Sequence, residues 1–279
     1  MVFKSIFNKI KNNLISPHKV PIKLYLVLEK KIYNFFFLLR HENKKILNYQ
    51  NKTFKKNNLN RDLGYKLFSE LKSQYKFLEK PMNSEHQILF CAISSSHKKN
   101  INSILEIGTF DGTNAFLLAS IFPDAKITTL DLEDENEIFK NTYDRNSQEK
   151  RKNFIKERNK LLSLKDNITF LQKNSLSLTM ENQYFDLIWV DGSHAYPEVA
   201  IDISNAIRMS KKNSLILCDD IYINKILGDK MYNSYASFET INHFSQAGLI
   251  NYNLFYKRLD TDSNSITKKR KYVSLIKLK

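Results

Sequence analysis

The sequence is short of the residues that break or cross-link a chain: its 279 residues include six glycines, five prolines and two cysteines. Two cysteines in apolar runs make neither a disulfide framework nor a cysteine zinc site, which suits a protein of a reducing compartment. Because glycine is scarce, Gly108 and Gly112, four residues apart, indicate a backbone turn that tolerates no larger residue.

The sequence also lacks an apolar run of about 20 residues, so it predicts no membrane-spanning helix. The first 15 residues have neither the uninterrupted apolar core nor the cleavage site of an export signal. We therefore expect a cytoplasmic protein. An apolar stripe over residues 24–39 predicts a helix that packs against the rest of the chain or a second subunit, makes peripheral membrane contact, or contacts nucleic acid.

The net charge of +15 is unevenly distributed. Residues 1–80 carry +13, residues 81–260 carry −3 and residues 261–279 carry +5. The basic character therefore belongs to the two ends, and a site in the middle need not be built for a polyanion. The KKRK run at residues 268–271 is predicted to protect the exposed edge of a sheet, where lysine commonly prevents edge-to-edge pairing.

The pattern of apolar residues divides the chain near residue 80. Residues 1–80 predict a basic helical N-terminal extension, with a polar link over residues 42–60 between two helices, and residues 81–279 predict the catalytic domain. After a further helix, short apolar strands alternate with amphipathic helices, which is typical of a doubly wound α/β fold with a mostly parallel, seven-stranded sheet. Residues 251–256 and 272–276 predict an antiparallel pair at the sheet edge.

A glycine turn follows the first predicted strand. The strand over residues 103–107 leads into Gly108 and Gly112, and a helix begins near Thr113. Free backbone N–H groups at such a turn provide a ligand site beside the carboxyl end of a strand. Phe110 stands where the dinucleotide fingerprint requires its middle glycine, which disfavours a dehydrogenase.

With Asp131 at the end of the second strand, this turn resembles the first two motifs of class I S-adenosylmethionine-dependent methyltransferases. The resemblance implies that the glycines admit the methionine part of the cofactor, that Asp131 accepts both ribose hydroxyls, and that Glu106 orients the methionine amino end through the turn. The cofactor-binding residues that it implies are Glu106, Gly108, Thr109, Phe110, Gly112, Asp131, Asn174, Ser175 and Asp191.

Three carboxylates follow two other predicted strands: Asp191 ends one, and Asp219 and Asp220 end the next. On neighbouring parallel strands they would meet at one edge and raise one another's pKa unless a cation neutralised them. Oxygen ligands suit a hard ion, so we expect these three residues to bind a divalent metal, Mg²⁺ or Mn²⁺.

These carboxylates, with His194 three residues after the first, resemble metal-dependent O-methyltransferases that act on sugar hydroxyls of natural products, the macrocin type among them. Catechol and caffeoyl-CoA methyltransferases are less similar, since they usually carry Asp-Asn where this chain has Asp219 and Asp220. The resemblance implies methyl transfer to a hydroxyl of a sugar or glycan, with the metal acidifying that hydroxyl and His194 as the general base.

Two other functions stay open at this point. One is a metal-independent RNA or protein methyltransferase that docks through its basic ends, which predicts salt-sensitive binding to its polymer. The other is a non-catalytic S-adenosylmethionine-binding protein. We expect a small-molecule or glycan hydroxyl as the partner, rather than nucleic acid, and the helical extension leaves a homo-oligomer open.

Overall fold

The computed structural model describes residues 28, 31–32, 35–36, 42–78, 84–97, 100–178, 185–224, 234–259 and 270–279. The chain divides into two compact units, residues 1–43 with 260–269 and residues 44–259 with 270–279. The larger unit contains the predicted site residues. Most of residues 1–41, and with them the predicted membrane or subunit contact, lie outside the described residues, and the boundary near residue 80 stays a prediction.

A seven-stranded sheet with the order β3-β2-β1-β4-β5-β7-β6 forms the centre of the larger unit. The first five strands are parallel, and β7 is antiparallel to both of its neighbours. The strands are β1 (Ser103–Ile107), β2 (Lys126–Asp131), β3 (Ile168–Gln172), β4 (Phe185–Val190), β5 (Ser210–Ile221), β6 (Ile250–Tyr256) and β7 (Tyr272–Leu278). The predicted doubly wound α/β fold is confirmed.

Helices cover both faces of this sheet, as near-continuous apolar strands require. The described α-helices of this unit are α1 (Asn43–Lys56), α2 (Arg61–Gln74), α3 (Glu85–His97), α4 (Thr113–Ile121), α5 (Glu137–Asn141), α6 (Gln148–Leu162), α7 (Glu198–Arg208) and α8 (Ala236–Gln246). One apolar cluster packs the four helices α1, α2, α3 and α4 on one face of the sheet. A second cluster packs α7 and α8 on the other face. No described helix has the length and apolar character needed to cross a bilayer.

Helix α1 corrects the predicted polar link over residues 42–60. Its buried positions, Ile46, Gln50, Thr53 and Phe54, have helical spacing, but two of them are polar and so gave no apolar stripe. Gln50 bonds both backbone groups of Tyr256: the Tyr256 N–H donates to its Oε1 at 2.9 Å, and its Nε2 donates to the Tyr256 carbonyl at 3.1 Å. The buried amide therefore attaches α1 to the edge strand β6.

The C-terminal strands form the predicted antiparallel pair, but β7 lies inside the sheet. It pairs with β5 on one side and with β6 on the other, so that β6 is the edge strand. The end of β5, the end of β6 and the start of β7 therefore meet, since Ile221 pairs with Tyr272 and Tyr272 pairs with Tyr256. The residues that directly follow β6 and directly precede β7 therefore lie beside the carboxyl edge of the parallel strands.

Gly64 allows α2 to pack closely on α3, and its replacement tests that contact. A Cβ at Gly64 would lie 2.9 Å from the Ala92 Cβ and closer still to the Ile88 carbonyl oxygen. We expect Gly64→Ala to lower the free energy of unfolding by about 1–3 kcal/mol because backbone must move. An exposed helical glycine would instead gain about 1 kcal/mol from this change.

Urea unfolding of both variants checks this, with Lys66→Ala on the exposed side of α2 as the matched control. A Gly64→Ala protein as stable as Lys66→Ala would contradict the close packing of the two helices.

Candidate functional site

The predicted glycine turn connects β1 to α4. Gly108 has φ +103°, and a Cβ on it would lie 2.7 Å from the carbonyl carbon of Asp191, at the end of the neighbouring strand. Gly112 has φ +79° and caps α4 without a side chain. Phe110, between them, also has positive φ, at +48°, a conformation that a bulky residue rarely adopts. The turn thus fits closely against the end of β4.

Asp131 ends β2 beside this turn. Its Oδ2 accepts the Phe110 N–H at 2.8 Å, and its Oδ1 accepts the Leu132 N–H at 2.8 Å. Burial raises the pKa of this carboxyl, while those two backbone bonds and the charges of Arg145 and Arg158 lower it. Each oxygen keeps a further lone pair for a ligand hydroxyl.

Glu106 lies beneath the turn and is fully buried. Its Oε1 accepts from Asn114 Nδ2 at 2.7 Å, and its Oε2 is 2.5 Å from Thr129 Oγ1, which lies 2.6 Å from Thr109 Oγ1. Burial raises the pKa of Glu106 to about 8, against the two hydrogen bonds that lower it. Glu106 therefore joins β1, β2 and α4 through polar contacts.

A cavity of about 400 Å³ lies over the turn, at the carboxyl ends of β1, β2, β3 and β4. Of the predicted cofactor-binding residues, its lining includes Gly108, Phe110, Asp131, Asn174, Ser175 and Asp191. Three do not line it: Glu106 and Thr109 are buried below, and Gly112 starts the helix. The part that these three residues take in cofactor binding stays a prediction, and the structure places them in or beneath the turn that borders the cavity.

The sequence did not indicate several other lining residues. Phe139, Tyr143 and Arg145 come from α5 and the turn after it, where the Arg145 guanidinium lies 3.8 Å from the centre of the Phe139 ring. Asp202 comes from α7. Its Oδ1 is buried and has no hydrogen-bond partner among the described residues, and burial raises its pKa to about 6. A carboxylate in the middle of an amphipathic helix gives no sequence signal of its own.

His194 lies between two of the predicted carboxylates. Its Nε2 is 3.4 Å from Asp191 Oδ1 and 4.0 Å from Asp220 Oδ2. Burial lowers the pKa of His194, but the contact with Asp191 and the charge of Asp220 outweigh it, so the pKa is raised. His194 itself does not line the cavity, whereas Asp191, Gly192 and Ser193 do. Asp191 therefore connects the histidine to the cavity.

Asp219 and Asp220 contact two lysines, Lys257, to which no role was assigned from the sequence, and Lys271, which was predicted to protect the sheet edge. Lys257 Nζ contacts Asp219 Oδ2 and lies 2.5 Å from Asp220 Oδ1, and Lys271 Nζ contacts Asp220 Oδ2. Lys257 and Asp219 are almost fully buried, with 8 and 2% exposure. The charges of Lys257, His194 and Lys271 hold the pKa of Asp220 well below its usual range, although burial opposes them.

These contacts change the premise of the metal site predicted at Asp191, Asp219 and Asp220, and the site itself stays a prediction. The prediction assumed that only a bound ion could neutralise the three carboxylates, whereas two ammonium groups of the chain already do so. Among the residues that the structure describes, no group of three or more His, Cys, Asp or Glu side chains is arranged to hold a metal ion. The KKRK run was predicted to protect the sheet edge. For Lys271 this prediction is corrected, because its side chain is buried in an ion pair with Asp220.

His86 lies on α3 and is another histidine near the acidic residues. It packs 5.2 Å from the Trp189 ring, and its Nδ1 is 2.6 Å from Ser84 Oγ. Burial lowers its pKa to about 4, so the ring is neutral at physiological pH. A neutral histidine here adds no charge to the acidic residues nearby.

A family model described as a methyltransferase domain matches residues 105–221, from β1 to the end of β5. These residues include the glycine turn, Asp131, the loop of His194 and the pair Asp219 and Asp220. This segment of the chain matches a methyltransferase domain. The prediction of a methyltransferase is confirmed at the level of the family model. No curated protein matches the chain.

Solved methyltransferases share the fold of this domain at low sequence identity. An O-methyltransferase from Bacillus cereus, solved with S-adenosylhomocysteine, is 13% identical with a TM-score of 0.50, covering 76% of this chain and 90% of its own. The O-methyltransferase TomG from Streptomyces achromogenes, solved with S-adenosylmethionine, is 15% identical, with coverage of 76% and 88% and a TM-score of 0.49. The Podospora anserina methyltransferase PaMTH1 is 17% identical, with coverage of 78% and 88% and a TM-score of 0.44.

Glu106 predicts a pH dependence of stability. Its pKa rises from 4.5 in the unfolded chain to about 8 in the folded protein, so the folded state binds the proton more tightly. Its contribution to stability is complete below pH 4.5 and is lost as the pH rises through 8. Glu106→Gln keeps an acceptor for Asn114 and cannot ionise, so we expect its free energy of unfolding to fall less between pH 6 and about 9.

Denaturant unfolding across that range measures the difference, and Glu149→Gln, in the exposed first turn of α6, is the control for loss of a carboxylate. Parallel pH profiles for the wild type and Glu106→Gln would contradict the raised pKa.

Proposed function

We propose that the protein transfers a methyl group from S-adenosylmethionine to a hydroxyl oxygen of a small molecule. The observation that carries the proposal is one cavity lined by the glycine turn, by Asp131 and by Asp191, which in turn contacts His194. The matching methyltransferase domain supports the reaction, and the histidine beside the cavity supports oxygen as the acceptor.

The residues of the cavity fit this cofactor. Gly108 lets the turn pack against the end of β4 beside the cavity, and Asp131 has unused lone pairs for two ribose hydroxyls. Asp202 Oδ1 is a buried acceptor without a partner among the described residues, and the adenine amino group is a donor of the matching kind. The cofactor supplies a sulfonium whose methyl group is electrophilic.

His194 is the proposed general base. A proton on Nε2 suits the contact with Asp191 Oδ1 at 3.4 Å, and this tautomer leaves the Nδ1 lone pair free. Nδ1 is buried and has no hydrogen-bond partner among the described residues. Asp191 stabilises the imidazolium that forms when the hydroxyl proton is taken, and the loop of residues 191–194 positions the acceptor oxygen beside the cavity.

The proposed acceptor is a hydroxyl of a sugar or glycan. Support for this class comes from the resemblance to macrocin-type enzymes, which rests on Asp191, His194, Asp219 and Asp220.

Replacing Asp131 tests the cofactor site. In Asp131→Asn the side chain keeps one carbonyl oxygen, and its amide group cannot accept either of the backbone N–H groups that now bond the carboxylate. We expect S-adenosylhomocysteine to bind on the order of 10–100-fold more weakly, as for loss of a hydrogen bond to a charged group. Calorimetric titration measures the change.

Asp124→Asn is the matched control, because Asp124 is exposed just before the other end of β2. Equal affinity in wild type, Asp131→Asn and Asp124→Asn would remove Asp131 from the cofactor site, and absence of binding by the wild type would overturn the proposed function.

Replacing His194 tests the base. We expect His194→Gln to lower kcat by about 10²–10⁴-fold, the usual contribution of a general base, while S-adenosylhomocysteine binds as it does to the wild type. The assay follows a tritiated methyl group into nucleotide sugars and glycosides, with catechol, RNA and peptide as competing acceptor classes.

His243→Gln, on α8, is the control for loss of an imidazole. An unchanged kcat in His194→Gln would contradict the assignment of the base, and methylation of RNA or peptide in place of sugars would contradict the acceptor.

A further inference from the structure

The carboxyl edge of the sheet concentrates negative charge below the surface. Asp191 ends β4, and Asp219 and Asp220 lie at the end of β5. The Asp191 side chain is partly exposed, whereas Asp219 and Asp220 are buried. Buried carboxylates that lie close together require positive charge nearby.

The insertion of β7 brings that positive charge from a distant part of the sequence. Lys257 directly follows β6 and Lys271 directly precedes β7, and the Lys257 N–H donates to the Lys271 carbonyl at 3.0 Å. Both side chains thus start from one backbone pair beside the end of β5. The positions of the two ammonium groups therefore follow from the strand order.

The two lysines contact three of the six carboxylate oxygens of the predicted metal site. Both oxygens of Asp220 and one oxygen of Asp219 contact an ammonium group. A divalent ion at these oxygens would meet the Lys257 charge at contact distance, which strongly disfavours its entry. Asp220 also has φ +51°, a left-handed conformation that residues with a Cβ rarely adopt, and in this conformation its carboxylate contacts both lysines.

We infer that Lys257, assisted by Lys271, is the resident cation of this acidic edge and takes the place of a divalent metal. The edge then binds no Mg²⁺ or Mn²⁺ in the wild-type protein. Its consequence for catalysis, methyl transfer that continues in the presence of chelator, rests on the proposed function, whereas the binding statement does not.

Manganese provides the test because bound and free Mn²⁺ differ in their electron paramagnetic resonance signals. We expect the wild-type protein to leave Mn²⁺ free up to millimolar concentration. Lys257→Ala exposes the carboxylates of Asp219 and Asp220 to the ion, and we expect it to bind about one Mn²⁺ at least tenfold more tightly than the wild type. Lys211→Ala, which removes an ion pair with Asp186 at the opposite end of the sheet, is the matched control.

Thermal unfolding gives a second measurement. Loss of Lys257 leaves buried carboxylates unpaired, so we expect the Tm of Lys257→Ala to fall by on the order of 10 °C and to recover partly when Mn²⁺ is added. Neither Mn²⁺ nor EDTA should change the Tm of the wild type. If Lys257→Ala does not fold, the wild-type Mn²⁺ titration alone decides.

Stoichiometric binding of Mn²⁺ by the wild type, abolished in Asp219→Asn with Asp220→Asn, would overturn the inference. So would a Lys257→Ala protein that folds and leaves Mn²⁺ free. S-adenosylhomocysteine titration of the same metal-free wild type separates this result from failure of the proposed function: cofactor binding together with Mn²⁺ binding would reject only the resident lysine.

Discussion

The ion-pair cluster of Lys257 and Lys271 with Asp219 and Asp220 holds together the part of the protein on which the site depends. It links the last residues of β5 to the flanks of β6 and β7, and His194 lies within 4.0 Å of the same cluster. Because these charges are buried, loss of one partner leaves the others uncompensated. The antiparallel end of the sheet therefore determines the electrostatic environment of the loop that carries Asp191 and His194.

The cofactor side of the cavity depends on backbone geometry more than on charge. Two left-handed residues, Gly108 and Phe110, direct the turn so that Asp131 accepts one of its N–H groups, and Glu106 supports the turn from below through Asn114 and Thr129. Asp191 belongs to both halves, since it lines the cavity and contacts His194. The proposed reaction needs this junction, because the electrophile and the proposed base must meet the same oxygen.

Sequence patterns predicted the features that are local. The glycine turn, Asp131 and the acidic strand ends each lie within a few residues of an apolar run, so strand and turn signals located them. The contacts of Lys257 and Lys271 with Asp219 and Asp220 were not predicted, because the lysines follow these carboxylates by about 40 to 50 residues. The contacts depend on β7 entering the sheet between β5 and β6, and no local pattern encodes that pairing. Helix α1 was missed because polar Gln50 and Thr53 are buried through contacts made elsewhere.

The most direct measurement is a crystal structure of the protein grown with S-adenosylhomocysteine and MnCl₂, with anomalous data collected at the manganese edge. We expect the nucleoside to lie in the cavity with its ribose bound to Asp131. We expect Lys257 Nζ to lie between Asp219 and Asp220, with no anomalous peak at the acidic edge. A manganese peak between Asp191, Asp219 and Asp220, with Lys257 displaced, would contradict it.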